Sequence, residues 1–360
     1  MSRGRVAKAR GDRAGGDRAG GGERGSRARR GAPSAPSGED ALVGWLRRTL
    51  GPPASELIGD DAAMLRLAGE WALTVDSQIA GTHFVDGLDP GVVARRLLAV
   101  NLSDLAAVGA LPAYALLALS APAGFDHRRF FRAFRAAARR YEVTLVGGDL
   151  ARAPVVVASL TVLGRRRGAR WLRRDSARPG DGLWVGGTLG ESALGRLLLE
   201  RGATWRSGHV ELPAEVMVDV ASARAARLAV KRHLLPRPQL GLSTALTERR
   251  RCACIDVSDG LGRDLARLVA ASGAGATVEA DALPLPRDAA RLAAALGAHP
   301  LDLALSGGED YVLLFTLPAM ETAPKGCFRI GTIDDRPGLR LRRRGQIEEM
   351  SAGGWDHLLV

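Results

Sequence analysis

Hydrophobic and polar residues alternate along residues 71–77, and from 92 to 108 the apolar residues recur at helical spacing. The first pattern predicts a strand that brings Asp76 to its carboxyl end, and the second predicts a helix. Asn101 and Asp104 lie three residues apart, so they share one face of this helix. We expect that face to contact polar groups.

Strand and helix patterns continue to alternate along the rest of the chain. A buried strand at 113–122 is followed by a basic amphipathic helix at 127–141 and by strands at 143–149 and 154–164. The second half repeats this order. It begins with a strand, glycine turn and helix within 181–202 and a strand and helix within 252–273. Further strands are predicted at 276–286, 311–318 and 327–333, and a hairpin near 339–349. Such alternation favours an α/β fold with mixed sheets (mixed α+β) over a helical bundle or a β-sandwich.

Length and composition predict two domains preceded by a basic tail. A chain of 360 residues, 46% of them hydrophobic, is long enough for two medium-sized cores. Residues 1–38 carry ten Lys/Arg against three Asp/Glu and have few apolar residues to bury, so we predict a disordered Gly/Arg-rich tail. The predicted domains cover residues 39–164 and 165–360.

Charge and hydropathy indicate the compartment and the partners. The chain has no run of the roughly 18 apolar residues that a membrane span needs, and its N-terminus lacks the apolar segment of a secretory signal. Its three cysteines, an odd number, fit a reducing compartment, and we expect a cytoplasmic protein. Most of the net charge of +12 lies in the tail, which predicts weak contact with RNA rather than a specific nucleic-acid site.

Six short turns combine acidic residues with small or apolar neighbours. They are IGDDAA, LTVDS, NLSDLAAVGA, VGGDL, DVSDG and SGGEDY. Carboxylates beside apolar stretches are costly to desolvate unless cations, hydrogen bonds or water compensate for the cost. Magnesium prefers oxygen ligands and is commonly shared between carboxylates and substrate phosphates. The set predicts a magnesium–nucleotide site, whereas each turn alone also fits an ordinary turn or helix cap.

Two common nucleotide motifs do not account for such a site. The chain has no G-x-x-x-x-G-K-[ST] sequence, so it lacks the usual phosphate-binding loop and its lysine. GGTLGES matches the dinucleotide fingerprint only loosely, and no well-placed acidic ribose ligand follows it. A nicotinamide enzyme is therefore disfavoured.

The ordered series IGDDAA, NLSDLAAVGA, VGGD, SARPGD, GTLGESALG, IDVSDGL, LSGGEDYVLLF and GWDH resembles the thiamine-monophosphate kinase family. That family belongs to the superfamily of aminoimidazole ribonucleotide synthetase. The resemblance implies ATP-dependent phosphorylation of thiamine monophosphate to thiamine diphosphate, by direct transfer assisted by several magnesium ions. It also implies a two-domain fold and a homodimer in which the N-terminal sheets form a shared barrel. The domain at 39–164 then binds ATP and magnesium and forms the dimer, and the domain at 165–360 completes the active site.

The matching motifs imply three groups of site residues. The expected metal ligands are Asp60, Thr74, Val75, Asp76, Asp104, Asp149, Asp256 and Asp259, where Val75 can offer only its backbone carbonyl. The expected ATP contacts are Gly148, Asp149, Arg174 and Ser258, with Arg173 as the alternative to Arg174. The expected acceptor contacts are His83, Glu309 and Trp355.

The chemistry of these groups suits the implied reaction. An indole such as that of Trp355 can stack on a flat heteroaromatic ring, and a carboxylate such as that of Glu309 can accept a hydrogen bond from an amino group. Asp310 is assigned no role, because neighbouring residues of an extended chain point to opposite sides. The acceptor phosphate is already ionised at neutral pH, so no general base is assigned.

Three alternatives carry different expectations. Selenophosphate synthetase and the hydrogenase maturation protein of this superfamily need a reactive cysteine near one end, where this chain has none, and aminoimidazole ribonucleotide synthetase is a further relative. An RNA-associated module would act through the basic tail. A degenerate kinase would bind without turnover, but every carboxylate of the family pattern is present.

Overall fold

The computed structural model describes residues 38–58, 61–214 and 219–355. Its helices are α1 Gly38–Leu50, α2 Ala54–Leu57, α3 Pro90–Val108, α4 His127–Arg140, α5 Glu191–Glu200, α6 Val220–Leu234, α7 Leu240–Thr247, α8 Leu261–Ser272, α9 Arg287–Ala295 and α10 Pro300–Ser306. Its strands are β1 Trp71–Ile79, β2 Ala110–Ala121, β3 Thr144–Arg152, β4 Val157–Arg166, β5 Gly182–Val185, β6 Thr204–Arg206, β7 His209–Glu211, β8 Cys254–Asp256, β9 Gly275–Glu279, β10 Leu313–Leu317, β11 Phe328–Asp334, β12 Gly338–Arg343 and β13 Gln346–Glu349. The predicted tail lies outside the described residues, apart from Gly38, which begins α1.

The first sheet has the strand order β1-β4-β2-β3. β4 pairs antiparallel with β1 and β2, and β3 runs parallel to β2. α3 and α4 share one hydrophobic core with this sheet, in which Leu97, Phe130 and Phe134 of the helices and Leu119 and Leu160 of the strands are buried. The apolar spacing of both helices therefore serves to bury one face against the strands.

β1 separates its side chains by face. Leu73 and Val75 are 65% and 64% exposed, whereas Gln78 is buried and Thr74 and Asp76 contact α3. The predicted position of Asp76 at the carboxyl end of the strand is wrong, because β1 continues to Ile79 through its antiparallel pairing with β4. Asp76 therefore lies in the body of a strand, where alternation directs its side chain toward the helix.

The second sheet has the order β13-β12-β9-β11-β5-β10-β8. β9 and β12 are parallel, and the other neighbouring strands are antiparallel. The predicted strand at 276–286 is shorter than expected: β9 ends at Glu279, and a 3₁₀ turn follows it. Pro284 and Pro286 lack the N–H donor that an extended ladder needs, which limits the strand.

α3 contacts three hydrophobic cores. Its Leu97 packs with the first sheet, Val92 packs with residues of α5, α6 and α9, and Ala106 packs with β8 and β10. The mixed α/β fold class is confirmed, and the domain limits at 38/39 and 164/165 stay predictions. No helix in the described part of the chain is long and apolar enough to cross a membrane.

Candidate active site

One polar face of α3 holds acidic residues against β1. Thr74 Oγ1 donates a hydrogen bond to Asp104 Oδ2 at 2.5 Å. The backbone N–H of Asp76 donates to Asn101 Oδ1 at 2.9 Å. The expected polar contact of the face formed by Asn101 and Asp104 is thus confirmed.

The same helix also reaches the second sheet. Ser103 Oγ donates to Asp256 Oδ2 at 2.7 Å, and Asp256 is the buried last residue of β8. Because Ser103 and Asp104 are adjacent on α3, carboxyl groups carried by β1, α3 and β8 meet at this helix. We call Asp76, Asp104 and Asp256 the acidic cluster.

Asp256 is buried and Asp76 and Asp104 are half-buried, so desolvation and the like charges raise the pKa of each member of the acidic cluster. Burial raises the pKa of Asp76 to about 6, and the charge of Asp256 adds to the effect. Burial also raises the pKa of Asp104 to about 6, against the opposing hydrogen bond from Thr74. Burial and then the charge of Asp104 raise the pKa of Asp256 to about 7. A bound cation would relieve both the desolvation and the repulsion.

These donors fit magnesium. Among residues 38–58, 61–214 and 219–355, no group of three or more His, Cys, Asp or Glu side chains is arranged to hold a metal ion by itself. Magnesium usually keeps several waters and is bound through one or two carboxylates together with substrate phosphates, so it does not require a complete cage of protein ligands. The oxygen donors of the acidic cluster, of which Asp76 also lines an open pocket, match that mode of binding.

Ser258 and Asp259 lie in the turn after β8. Asp264 Oδ2 accepts hydrogen bonds from both backbone N–H groups, each at 2.9 Å, which fixes the turn at the start of α8. Asp259 Oδ2 lies 2.6 Å from Arg267 Nη1. The Asp259 carboxylate therefore has a charged partner within the protein itself.

Gly148 and Asp149 lie on β3, at the edge of the first sheet. Gly148 has φ of 155°, and a Cβ there would lie 1.9 Å from the carbonyl oxygen of Leu117, so only glycine fits. Asp149 is exposed, and its side chain makes no hydrogen bond or ion pair with another described residue. The structure does not join Asp149 to the acidic cluster by a direct contact.

Two further expected metal ligands are placed differently. Asp60 lies outside the described residues. Val75 is 64% exposed on the face of β1 that points away from α3, and its side chain has no donor atom, so only its backbone carbonyl can serve a ligand, as the sequence indicated.

Of the two candidate arginines, Arg174 lies nearer to the acidic cluster. Its charge acts to lower the pKa of both Asp104 and Asp256. Arg173 instead pairs with Asp175, with 2.6 Å between Nη2 and Oδ2. The charge effect of Arg174 and the pairing of Arg173 with Asp175 favour Arg174 as the candidate phosphate contact.

A pocket of about 420 Å³ opens beside the acidic cluster. Its volume lies within the usual range for small-molecule sites. The expected acceptor residues line it together with members of the expected metal and ATP groups: His83, Glu309, Trp355, Asp76, Ser258 and Asp259. We call this the active-site pocket.

Hydrogen bonds fix the backbone around two of these residues. His83 Nδ1 accepts from the N–H of Ile79 at 3.2 Å. The N–H of Trp355 donates to the carbonyl of Asp259 at 3.0 Å, and the carbonyl of Trp355 accepts from Arg263. Trp355 is thereby tied to the turn that carries Asp259, and its side chain is 38% exposed.

Glu309 is held by a buried arginine that the sequence analysis missed. The Arg96 guanidinium, on α3, is fully buried and pairs with Glu309. It also donates to Gln78 Oε1 at 2.8 Å and to the carbonyl oxygen of His233. A sequence signal existed: Arg96 lies four positions from both Val92 and Val100, which share its buried face.

His233 completes the surroundings of Glu309. Its Nδ1 lies 3.4 Å from Glu309 Oε2 and 3.2 Å from Ser192 Oγ. Burial, followed by the charges of Arg96 and Arg196, lowers the pKa of His233 well below its usual value. His233 is therefore neutral at physiological pH, and Arg96 supplies the positive charge opposite Glu309.

Comparison with known proteins places the chain in a family. Residues 59–166 match the family model of the N-terminal domain of AIR synthase related protein. A thiamine-monophosphate kinase of Salmonella typhimurium is 37% identical over 316 residues, which cover 83% of this chain and 91% of the relative. The thiamine-monophosphate kinase of Aquifex aeolicus is 30% identical, with 89% and 98% covered.

Solved structures agree with the sequence comparison. The crystal structure of thiamine-monophosphate kinase from Stenotrophomonas maltophilia is 34% identical with a TM-score of 0.71, covering 84% of this chain and 96% of that one. The structure described as AaThiL complexed with AMPPCP and TMP has 29% identity and a TM-score of 0.70, covering 88% and 96%. The hydrogenase maturation protein HypE of Escherichia coli, at 19% identity and a TM-score of 0.67 over 88% of this chain and 98% of that one, shares the fold. The expected resemblance is confirmed, and the protein belongs to the thiamine-monophosphate kinase family.

Proposed function

We propose that the protein transfers the γ-phosphoryl group of ATP to thiamine monophosphate and so forms thiamine diphosphate. The observation that carries the proposal is the composition of the active-site pocket, where Glu309 and Trp355 face the same space as Asp76, Ser258 and Asp259. A neighbour with 29% identity was solved with AMPPCP and TMP together. The pocket of this protein thus combines Glu309 and Trp355, which suit the thiamine ring, with Asp76, Ser258 and Asp259, which suit a metal-bound phosphate.

Phosphoryl transfer makes limited covalent demands on the protein and depends on alignment and on neutralising charge. Bound magnesium would neutralise the two anionic reactants where their phosphates meet. The residues that we propose as magnesium ligands are Asp60, Thr74, the carbonyl of Val75, Asp76, Asp104, Asp149, Asp256 and Asp259. Gly148, Asp149, Arg174 and Ser258 are the proposed ATP contacts, and the guanidinium of Arg174 is suited to paired phosphate oxygens.

The acceptor is held by residues whose positions are set before it arrives. Glu309 has its carboxylate fixed by Arg96 and its N–H bonded to the carbonyl of Ser258 at 2.7 Å. It is suited to accept from an amino group of the ring, and the half-exposed indole of Trp355 is suited to stack on that ring. His83 lines the same pocket. The acceptor phosphate is ionised at neutral pH, so the proposal includes no general base.

We also propose that the protein forms a homodimer through its first sheet. Leu73, Val75 and Leu116 are exposed on the face of the first sheet that α3 leaves uncovered. Exposed apolar groups of this kind on a regular sheet are suited to a second copy, which supports a homodimer with a shared barrel. We propose a cytoplasmic location.

An assay of purified protein with ATP, magnesium chloride and thiamine monophosphate tests the function. Thiamine diphosphate, measured after oxidation to its fluorescent thiochrome derivative, is expected to form in proportion to the ADP released. Omission of magnesium is expected to stop the reaction. ADP release without thiamine diphosphate, or no product at any magnesium concentration, would overturn the proposal.

A further inference from the structure

A second pocket, of about 350 Å³, lies between α3, α4 and the carboxyl end of α6. Its lining includes five cationic side chains and no acidic one: Arg95, Arg140, Lys231, Arg232 and Arg237. We call it the basic pocket. It shares no lining residue with the active-site pocket.

The cations of the basic pocket are largely unneutralised by the protein. Arg232 Nε lies 3.7 Å from Glu191 Oε2, and within the described ranges the other four side chains form no ion pair. Arg95 Nε donates to the carbonyl of Gly91 at 2.9 Å. The guanidinium of Arg140 lies over the ring of Tyr141 at 5.7 Å. Both contacts orient a cation without removing its charge.

Helix dipoles do not explain this convergence. Arg140 lies in the last turn of α4, and Lys231 and Arg232 lie in the last turn of α6, where the helix dipole favours a cation. Arg95 is in the N-terminal half of α3, and Arg237 follows the end of α6. The dipole effect therefore does not account for these two, and mutual repulsion opposes bringing all five together.

The walls of the pocket are apolar. Ala99, Ala136, Ala137, Leu235 and Pro236 line it between the cations. Inorganic phosphate would satisfy the charges and leave these walls in contact with water. An anion with an apolar or ring-bearing body would cover them and gain free energy from the apolar surface that it removes from water.

We propose that the basic pocket binds a ring-bearing diphosphate, such as a nucleoside diphosphate or thiamine diphosphate. Two linked phosphates carry enough charge to engage several of the five cations, and the ring contacts the apolar walls. A concave pocket of this volume suits a small molecule. Nucleic-acid backbones are instead contacted along extended basic surfaces.

Isothermal titration calorimetry in magnesium-free buffer tests the proposal, with ADP, thiamine diphosphate and inorganic pyrophosphate as probes. We expect one site per chain for at least one ring-bearing diphosphate, with affinity about tenfold above that of pyrophosphate. The affinity is expected to fall as sodium chloride is raised, because the contacts are between charges. The tighter of ADP and thiamine diphosphate identifies the natural class of ligand.

Two matched double variants locate the site. Arg140→Ala/Lys231→Ala removes two lining cations and is expected to weaken binding at least about tenfold. Arg139→Ala/Arg224→Ala removes two exposed cations from the same helices outside the pocket and is expected to change the affinity by less than about twofold. Two variants at proposed active-site contacts, Trp355→Ala for thiamine diphosphate and Arg174→Ala for ADP, are expected to leave this magnesium-free binding unchanged.

Several results would overturn the inference. These are no binding of either ring-bearing probe, equal loss in both double variants, or loss with Trp355→Ala or Arg174→Ala, which would assign the binding to the active-site pocket. Equal affinity for pyrophosphate would refute the role of the apolar walls. Tight binding of single-stranded RNA that pyrophosphate does not displace would identify a nucleic-acid surface instead. Thermal unfolding of each variant checks that these exposed substitutions leave the fold intact.

Discussion

Arg96 and Glu309 form an ion pair between a fully buried guanidinium on α3 and a carboxylate that lines the active-site pocket. The helix that carries the acidic cluster therefore also sets the position of the proposed acceptor contact. Gln78 Oε1 accepts from the Nε of the same guanidinium, and the carbonyl of His233 accepts from its Nη1. One side chain thus connects β1, α3, α6 and the loop before β10.

Arg96→Met is expected to destabilise the protein by about 2–4 kcal/mol, because it leaves the partly buried Glu309 carboxylate without its charged partner and removes the donor to Gln78 and to the carbonyl of His233. Chemical denaturation followed by circular dichroism measures this change. Arg95→Met, on the same helix, removes a half-exposed arginine that bonds only a carbonyl, and we expect a loss below about 1 kcal/mol. Equal losses in the two variants would contradict the role of the buried pair.

Asp149→Asn is expected to lower turnover at least about a hundredfold while leaving the unfolding free energy unchanged, because it removes a proposed metal charge from an exposed position. Steady-state kinetics and a thermal melt on the same preparation measure both effects. Asp335→Asn, at another exposed aspartate, serves as the matched control. Full activity of Asp149→Asn would remove this residue from the proposed metal and ATP sites.

Trp355→Ala is expected to raise KM for thiamine monophosphate about three- to tenfold and to leave KM for ATP unchanged, because stacking on the acceptor ring is lost. Trp355→Phe keeps an aromatic ring and is expected to restore most of the affinity. Initial rates with each substrate varied in turn give both constants. A parallel rise of both KM values would indicate damage to the turn that Trp355 shares with Asp259.

The metal-free protein is expected to lose stability as pH rises from about 4 to about 7. Five carboxyl groups have pKa values of about 6 to 7 in the folded protein, against an ordinary value of 3.8: Asp76, Asp104, Asp256, Asp264 and Asp310. The folded protein therefore holds these protons more tightly than the unfolded chain does, so their ionisation favours unfolding. His233 acts in the opposite direction within this range, because burial lowers its pKa and protonation below its ordinary 6.5 favours the unfolded chain, but it is one group against five. Asp89, whose pKa is lowered by its hydrogen bond with Arg129, does the same below about pH 4.

Urea unfolding at pH 5 and pH 8 in the presence of EDTA measures this dependence. Magnesium at pH 8 is expected to recover part of the loss by binding the folded state. Asp256→Asn removes one of the repelling charges and is expected to reduce the difference between the two pH values. Stability that rises with pH in EDTA would show that the acidic cluster is neutralised by the protein alone.

Local spacing allowed part of the site to be predicted. The shared face of Asn101 and Asp104 follows from helix geometry, and the structure places both against β1. The network around Arg96 did not follow, because its partners lie 18, 137 and 213 residues away in the chain. Burial of Arg96 was readable from its apolar neighbours, whereas the identity of its partners depended on the packing of α6 against α3.

The ends of elements were the least predictable part of the fold. β1 extends beyond Asp76 because its later residues pair with β4, ending with Ile79 opposite Val157. The alternation of residues within β1 does not reveal this pairing. β9 is cut short by a 3₁₀ turn at Ala280–Ala282 before the prolines. Element types depended on local pattern, and element lengths depended on the neighbouring strand.

The loop before β10 holds Glu309 and Tyr311 in left-handed backbone, with φ of 58° and 50°, on either side of Asp310. This geometry sends Glu309 to the active-site pocket and Asp310 to the N–H groups of Gly190 and Ser192 at the start of α5. We expect a ligand that shifts Glu309 to affect the first turn of α5 through the adjoining Asp310. Hydrogen exchange at the amides of Gly190 and Ser192 is accordingly a remote reporter of acceptor occupancy.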